Sequence, residues 1–231
     1  MYAYKIVNQD KVEVTKPVKN PQLKVLRIKT PVTIDGIIDT GWSKAPVLAL
    51  TANNGPGAGS DVSLHSEARV MYDQRNLYVL FIFEDPNVTF AYVNPDEMLW
   101  DSGDKLDLAE LILQPGTDPK VYYEFAANPA GALLDAQVKW KRGQPTWNIS
   151  WPNAHAPVAS RRISRNVNGI DGWCVEMAIP FESIGFIPTM GSSIRANFHR
   201  ADVDIPAKWL SWSPTLTRSI HIPAKFGKIS F

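Results

Sequence analysis

Apolar residues recur along the chain with a period closer to two than to 3.6, and prolines and glycines separate the apolar runs. A period of two places successive side chains on opposite faces of a β-strand, whereas a helical face needs a period of about 3.6. The 18 prolines and 14 glycines supply turns between short strands. The predicted strands are LKVLRI (23–28), VTIDG (32–36), SEARVMYD (66–73), LYVLFIFED (77–85), KLDLAELILQ (105–114), VYYEFAANP (121–129), LLDAQVKW (133–140), ASRRIS (159–164), GWCVEMAIP (172–180), SIRANFHRAD (193–202) and GKISF (227–231).

These strands predict an all-β fold, a β-sandwich of two antiparallel sheets of the immunoglobulin or jelly-roll kind. The run LYVLFIFE is almost continuously apolar, as in a central strand that is covered on both faces. No internal repeat or linker divides the chain, and its 231 residues can bury one core. The sequence therefore predicts a single domain over residues 21–231, preceded by a polar, proline-interrupted N-terminal arm over residues 1–20.

The charges of the chain are balanced, since 24 Lys and Arg residues face 23 Asp and Glu residues and give a net charge of +1. Such a chain has no overall field that would attract nucleic acid or an anionic membrane. No apolar run reaches the ~18 residues that span a bilayer, and the start lacks the charged-then-apolar order of a signal peptide. We therefore expect neutral or mixed partners, no nucleic acid and no membrane insertion. The N-terminus fits either a cytoplasmic protein or one whose leader is missing from this sequence.

Eight stretches follow one another in a characteristic order, although each alone occurs in many β-proteins. They are PVTIDGIIDTGWSKAP (31–46), ARVMYDQRNLYVLFIFEDPNV (68–88), WDSGDKLDLAELIL (100–113), YYEFAANPAGALLDA (122–136), GWCVEMAIPFESIG (172–185), IRANFHRAD (194–202), WLSWSP (209–214) and PAKFGKISF (223–231). In this order and spacing, from about residue 25 to the C-terminus, they resemble the family 9 carbohydrate-binding modules and their wider relatives.

The resemblance implies a β-sandwich that binds sugar on or beside one of its sheets without catalysing a reaction. It implies a polysaccharide or oligosaccharide as the ligand and a polysaccharide-degrading enzyme as an attached or neighbouring partner. It also implies an extracytoplasmic location, secreted or periplasmic. Some members carry calcium as a structural ion, so we expect no required cofactor and treat structural calcium as an optional ligand.

A sugar site needs an aromatic face for the apolar C–H surface of a pyranose and fixed polar groups for its hydroxyls. Trp100 can supply the first and Asp107 the second. The resemblance implies that a tryptophan before the acidic motif forms one wall of the site and that the carboxylate matching Asp107 bonds to sugar hydroxyls. It also implies a sugar-contacting polar side chain at the position of His199, and Arg200 follows it. The alternative for Trp100 is a place in the core at one end of the sandwich.

The sequence departs from the family pattern at two positions. Ile220 stands where the opposing tryptophan wall is expected, and Ala126 stands where an arginine is expected. Replacement aromatics are present in KWKRGQPTWNISW (139–151), where we expect a polar loop whose Trp147 and Trp151 could form a different wall. Loop tryptophans also fold back over sandwich edges, and that alternative stays open.

Acidic residues in two loops suggest a cation site. Asp85 in EDPNV and Asp101 and Asp104 in WDSGD offer oxygen ligands of the kind that calcium prefers, and calcium needs six to eight of them. No dedicated loop motif accompanies these residues. Calcium at Asp85, Asp101 and Asp104 is therefore an expectation from residue type alone.

Two further functions remain as alternatives. Related haem-binding sandwiches hold iron between a methionine and a histidine or lysine, and Met71, Met98 or Met190 could serve as the methionine. A glycoside-active enzyme needs two carboxyl groups facing one another about 5 to 10 Å apart. Strand alternation points Asp107 to the face opposite that of Leu106, Leu108, Glu110 and Ile112. Glu124 or Asp135 on a neighbouring strand would then have to supply the partner.

Overall fold

The computed structural model describes residues 19–54, 59, 64–90, 99, 107–151, 156–164, 169–202, 204–205 and 209–231, together with the backbone of 4–6 and 12–14. Strands dominate these residues, with short 3-10 turns at Thr40–Lys44 and Pro223–Lys225. The strands are β1 (Tyr4–Ile6), β2 (Val12–Val14), β3 (Gln22–Lys24), β4 (Leu26–Arg27), β5 (Val47–Ala49), β6 (Thr51–Ala52), β7 (Ser66–Tyr72), β8 (Asn76–Glu84), β9 (Leu108–Gln114), β10 (Val121–Ala127), β11 (Leu133–Lys141), β12 (Gln144–Asn148), β13 (Val158–Ile163), β14 (Gly172–Pro180), β15 (Ser193–Ala201), β16 (Trp209–Ser211) and β17 (Gly227–Ser230).

Two sheets form the sandwich, and β1 pairs with β2 as a separate hairpin. The larger sheet has nine strands in the order β12-β11-β10-β9-β15-β16-β6, and β17 pairs with the first half of β15 while β3 pairs with β17. The smaller sheet has six strands in the order β13-β14-β8-β7-β4, with β5 also on β7. The predicted all-β sandwich is confirmed. Two pairings are parallel rather than antiparallel, β17 with β3 and β4 with β7, because the predicted strand 23–28 splits and contributes one short strand to each sheet.

The core lies between the facing sides of the two sheets. Alternate residues of β8, among them Leu77, Val79 and Phe81, meet alternate residues of β9, among them Leu111 and Leu113, and all of them are buried. Each such side chain stabilises the fold by about 1.5–3 kcal/mol relative to an exposed position. Alternation along each strand therefore divides its side chains between two faces, one of which packs in this core.

The outer face of the six-stranded sheet is covered by the segment 28–45. On this face Tyr78 and Leu80 of β8 pack with Trp42 and Ala45 of that segment. β8 is therefore buried on both faces, which confirms the prediction made from its continuous apolar run. No helix among the described residues is long and apolar enough to cross a bilayer.

Two local predictions are wrong. The segment VTIDG (32–36) is irregular chain rather than a strand, because Gly36 adopts a φ of 76° and the backbone turns there. The predicted loop over 139–151 contains a β-hairpin of β11 and β12. Its two-residue turn, Arg142 and Gly143, has positive φ at both positions (50° and 83°), which matches the twist of a tight hairpin.

Candidate functional site

The outer face of the nine-stranded sheet carries a row of side chains from three neighbouring strands. Glu110 of β9 lies opposite Ala126 of β10 on one side and opposite His199 of β15 on the other. Residues that are directly opposite in adjacent strands share a face and have Cβ atoms about 4.5–5.5 Å apart. The register therefore brings Glu110 and His199 together, and it places Glu124, two residues before Ala126, on the same face.

Glu110 is a buried acid that forms no ion pair within the part of the chain that the structure describes. Its side chain is 1% exposed, and Oε1 has no hydrogen-bond partner among the described residues. Burial raises the pKa of Glu110 well above its ordinary value, and the charge of Glu124 raises it further. Burial also raises the pKa of Glu124, to about 7, against a hydrogen bond from Trp147 that lowers it. Because Ala126 replaces the expected arginine, no guanidinium from that position neutralises the pair.

The tautomer of His199 follows from its hydrogen-bonded neighbours. Ser211 Oγ donates its one proton to Asn53 Oδ1 at 2.8 Å, so Ser211 Oγ accepts from Nδ1 of His199 at 2.7 Å. The Asn53 amide is itself oriented by the backbone N–H of Thr215, which donates to Oδ1 at 2.9 Å. Burial lowers the pKa of His199 to about 3, so the ring is neutral near neutral pH. Its Nε2 is then a buried acceptor that has no partner among the described residues.

Aromatic rings border the buried polar groups. Trp209 lies edge-on to His199 with ring centroids 6.4 Å apart. Trp147 donates its indole N–H to Glu124 Oε2 at 2.8 Å and meets the ring of His221 edge-on at 5.3 Å. Trp147 and Trp209 are both half-buried and pack against the cluster that contains buried Ile220. The position expected to hold a second tryptophan wall thus belongs to a small apolar core on this face.

The predicted site residues divide between the two faces of the sheet. His199 and Trp147 lie on the outer face, whereas Arg200, next to His199 in the strand, is buried on the inner side. Asp107 is 1% exposed, and its Oδ2 accepts the backbone N–H of Thr89. Trp151 is 6% exposed and packs in the central core against Tyr123. In this arrangement neither Asp107 nor Trp151 meets the outer-face residues, and Trp100 lies outside the described residues.

Arg200 and three acids form a buried charged cluster at the edge of the core. Arg200 Nη2 contacts Asp202 Oδ2 and lies 3.3 Å from Asp85 Oδ2, and Nη1 donates to Ser66 Oγ at 2.8 Å. One carboxylate oxygen each of Asp85, Asp107 and Asp202 lie within 4.8 Å of one another. Burial raises the pKa of Asp107 to about 8, and the charges of Asp85 and Asp202 raise it as well. Of the three predicted calcium ligands, Asp85 belongs to this cluster, and Asp101 and Asp104 lie outside the described residues.

Sequence reasoning did not select Glu110, Trp209 or His221 as site residues. Glu110 carried a signal, because it is the one charged side chain among Leu106, Leu108 and Ile112 on its face of the strand. His221 and Trp209 come from irregular or short segments, where the two-residue period of a strand does not predict the direction of a side chain. One ligand atom each of Glu110, Glu124 and His221 lie within 4.8 Å of one another, a set that could also ligate a cation such as zinc.

The arrangement suits a neutral, hydroxyl-rich ligand. Buried acceptors such as Glu110 Oε1 and His199 Nε2 need hydrogen-bond donors, and the half-buried tryptophans offer apolar ring surface beside them. A β-sandwich with a polar floor and aromatic walls on one sheet has the architecture of a carbohydrate-binding module. The family described as "Carbohydrate family 9 binding domain-like" matches residues 34–231, and the chain belongs to this family. Its function is accordingly noncatalytic carbohydrate binding.

Comparisons with individual proteins agree with this family. Endo-1,4-beta-xylanase A of Thermotoga maritima is 28% identical over 205 residues, which are 87% of this chain but only 17% of the xylanase. A protein of Bacteroides uniformis designated as carbohydrate-binding matches with a TM-score of 0.68 at 18% identity, over 92% of this chain and 100% of that one. A family 9 module from Caldicellulosiruptor kristjanssonii in complex with cellotriose has a TM-score of 0.60 at 18% identity, over 90% of this chain and 92% of that one. At these identities the structures show a shared fold.

Proposed function

We propose that the outer-face residues Glu110, His199, Trp147 and Trp209 form a sugar pocket, which binds one unit of an oligosaccharide or polysaccharide. The observation that carries the proposal is the pair of buried acceptors, Glu110 Oε1 and His199 Nε2, on neighbouring strands. A buried polar atom without a partner costs about 1–3 kcal/mol, which a sugar hydroxyl would recover by donating to it. Glu110 in its protonated form could in addition donate to a ring or hydroxyl oxygen.

Among the described residues no Lys or Arg forms an ion pair with Glu110 or Glu124, which favours an uncharged ligand, and the relatives support the same ligand class. The C. kristjanssonii modules are bound to cellotriose and to glucose, which supports a neutral hexopyranose chain here. Because Ala126 and Ile220 replace an arginine and a tryptophan wall, we expect a Kd of about 10 µM to 1 mM. The xylanase relative supports a role beside an extracytoplasmic polysaccharide-degrading enzyme.

We propose Glu110, in place of the Asp107 that the family resemblance implies, as the carboxyl group that bonds to sugar hydroxyls. The two carboxylates are three residues apart on an extended chain and therefore face opposite ways. Trp100 lies outside the described residues, and we propose it as a further aromatic wall on the family resemblance alone.

We propose that the fold does not require calcium at the Arg200 cluster. The three acids there already face a guanidinium. Asp107 Oδ2, Asp202 Oδ1 and Asp85 Oδ1 each accept a backbone N–H. Calcium needs six to eight oxygen ligands without a cation among them, so the described residues do not fit that ion.

Titration calorimetry with cello-oligosaccharides and glucose tests the sugar pocket. Glu110→Leu should weaken binding tenfold or more, Trp209→Ala and Trp100→Ala should each cost about 1–3 kcal/mol, and Glu110→Gln should retain part of the affinity through its amide oxygen. Asp107→Asn is the matched control, a carboxyl change on the opposite face that should leave the Kd unchanged. If Glu110→Leu binds like wild type while its melting curve is normal, the pocket lies elsewhere.

A further inference from the structure

A second groove lies on the same face of the nine-stranded sheet, beyond the segment around Phe226. It has a volume of ≈ 600 Å³, and a row of four polar side chains crosses it. The row runs over four adjacent strands, because Gln22 of β3 lies opposite Lys228 of β17, Lys228 opposite Arg195 of β15, and Arg195 opposite Gln114 of β9. At about 4.8 Å between strands, the row is roughly 14 Å long.

The charges in this groove have one sign. Lys19, Arg195 and Lys228 line it, and its described lining contains no Asp or Glu. Like charges directly opposite each other in adjacent strands are destabilising, and within the described residues neither Arg195 nor Lys228 has an ion-pair partner. An anion between these two side chains would relieve their repulsion.

Gln114 adds a buried acceptor at the end of the row. Its side chain is 3% exposed, and its Nε2 donates to the carbonyl oxygens of Gly116 at 3.3 Å and Asp118 at 3.2 Å. These two bonds orient the amide, and Oε1 has no partner among the described residues. The groove therefore offers both fixed positive charge and an acceptor for a hydroxyl donor.

The wall of the groove is held in place by the chain around Asn20. Its Nδ2 donates to the carbonyl oxygens of Ala224 at 2.9 Å and Phe226 at 3.0 Å. Arg195 is braced in the same way, since Nη1 donates to Pro223 O at 3.2 Å. The cations are thus presented on a sheet and a braced segment rather than on a free loop.

We infer that this groove binds an acidic saccharide unit, a uronic acid whose carboxylate lies between Arg195 and Lys228 and whose hydroxyl donates to Gln114 Oε1. A planar carboxylate matches the fork of an arginine. A uronate residue carries such a group and hydroxyl donors on one ring, so it satisfies the charges and the buried acceptor together. The inference extends the proposed function to acidic glycans, and it uses residues that are separate from the Glu110 pocket.

The test measures the affinity of the protein for three oligosaccharides of the same length: an oligogalacturonate, its methyl ester, and a neutral galactose oligomer. The acid form should bind at least tenfold more tightly than the ester, and added salt should reduce that difference. Arg195→Gln combined with Lys228→Gln should abolish the difference, and Arg195→Lys should retain part of it. Both residues are exposed, so these variants should melt like wild type.

Variants at the two proposed sites distinguish a failure of this inference from a failure of the proposed sugar pocket. Glu110→Leu should weaken the binding of cello-oligosaccharides and leave the preference for acid over ester intact. The Arg195 and Lys228 double variant should leave the binding of cello-oligosaccharides intact and abolish that preference. Equal binding of acid and ester by the wild type overturns the inference. So does binding of single-stranded nucleic acid as tight as that of the oligogalacturonate, because it would indicate a general polyanion surface.

Discussion

Arg200 illustrates how burial can turn a polar residue from a ligand contact into part of the scaffold. Its guanidinium is fully buried, bonded to Asp202 and Ser66 and to the carbonyl oxygen of Glu84 at 2.8 Å. It also lies over the ring of Phe83, 4.9 Å from the centroid. Removing one partner of such a buried pair typically costs about 3–5 kcal/mol, because a charge is left without compensation. The acids around it therefore influence the pH dependence of folding.

We predict that the free energy of unfolding falls by about 2 kcal/mol between pH 6.5 and pH 8. Folded Asp107 keeps its proton up to a pKa of about 8, against an ordinary 3.8, and Glu124 keeps its proton up to about 7, against 4.5. The folded state then binds more protons than the unfolded state, so stability decreases as pH rises. His199 and His221, with pKa values lowered to about 3 and about 4, act in the opposite direction, mainly below about pH 7, where the unfolded histidines are protonated.

Urea unfolding at both pH values measures this change. Asp107→Asn removes the contribution of Asp107 and should make the fall smaller by about 1.5 kcal/mol. The buried acids Glu124 and Glu110, whose pKa values are also raised, supply the rest. An equal fall in the free energy of unfolding for wild type and variant would show that Asp107 ionises normally in the folded protein.

A chelator should leave the melting temperature unchanged. A ligand that binds only the folded state raises stability by mass action, so removing a structural ion lowers it. Thermal melts in excess chelator and in added calcium measure the effect. A drop that calcium reverses would place an ion in the protein, and the loop with Asp101 and Asp104 would be the first place to mutate.

At the scale of elements, the irregular segment 31–46 is attached to the six-stranded sheet through one carboxylate. Glu176 of β14 accepts the indole N–H of Trp42 at 2.8 Å and the backbone N–H groups of Gly36 at 2.9 Å and Asp35 at 3.2 Å. Gly36 is needed at this point, since a Cβ there would lie 3.1 Å from the Cβ of Arg161 at a positive φ. The stretches 31–46 and 172–185, far apart in the sequence, thus meet at the carboxylate of Glu176.

We predict that Glu176→Ala destabilises the fold by roughly 3 kcal/mol, because it leaves two buried N–H donors and one part-buried N–H donor without an acceptor. Glu176→Gln should cost less, since its amide oxygen still accepts one of them. Urea unfolding gives the magnitude, and protease sensitivity of residues 31–46 reports the local effect. Glu182→Ala, at an exposed position, is the matched control, and equal costs for the two alanine variants would contradict this role.

The sequence predicts the long strands well, but it predicts poorly which face of each strand carries the site residues. Apolar-rich runs with β-sheet residue types place β7 and β14 correctly to within a residue, because at least one side of each strand must be buried. β12 and β16 are missed, since a short or mostly polar strand has little alternation. The period separates Asp107 from Glu110 but does not say which face meets the other sheet. That choice depends on pairings distant in sequence, such as Glu110 with His199.

At the scale of the whole molecule, the first and last strands of the sandwich hold each other. β17 pairs with β15 and with β3, and the N–H of Val25 donates to the carbonyl oxygen of Ser230 at 2.8 Å. Both sheets also contribute to one buried core. Neither end of the domain is therefore an independent layer.

We predict one cooperative unfolding transition for residues 21–231, because no linker divides the strands that share this core. Tryptophan fluorescence and far-UV circular dichroism should give the same midpoint in urea. Deletion of Ile229 to Phe231 should lower that midpoint for both signals together. Two resolved transitions would show that the sandwich consists of separable parts.

The outermost strands of the two sheets also bear on self-association. β12 closes one end of the larger sheet and contains Pro145, which has no N–H to offer to an incoming strand. β13 closes the same end of the smaller sheet and exposes Arg161 and Arg162. Proline and charge on edge strands both oppose edge-to-edge pairing. These two edges of the sandwich are thus protected against amyloid-like self-assembly.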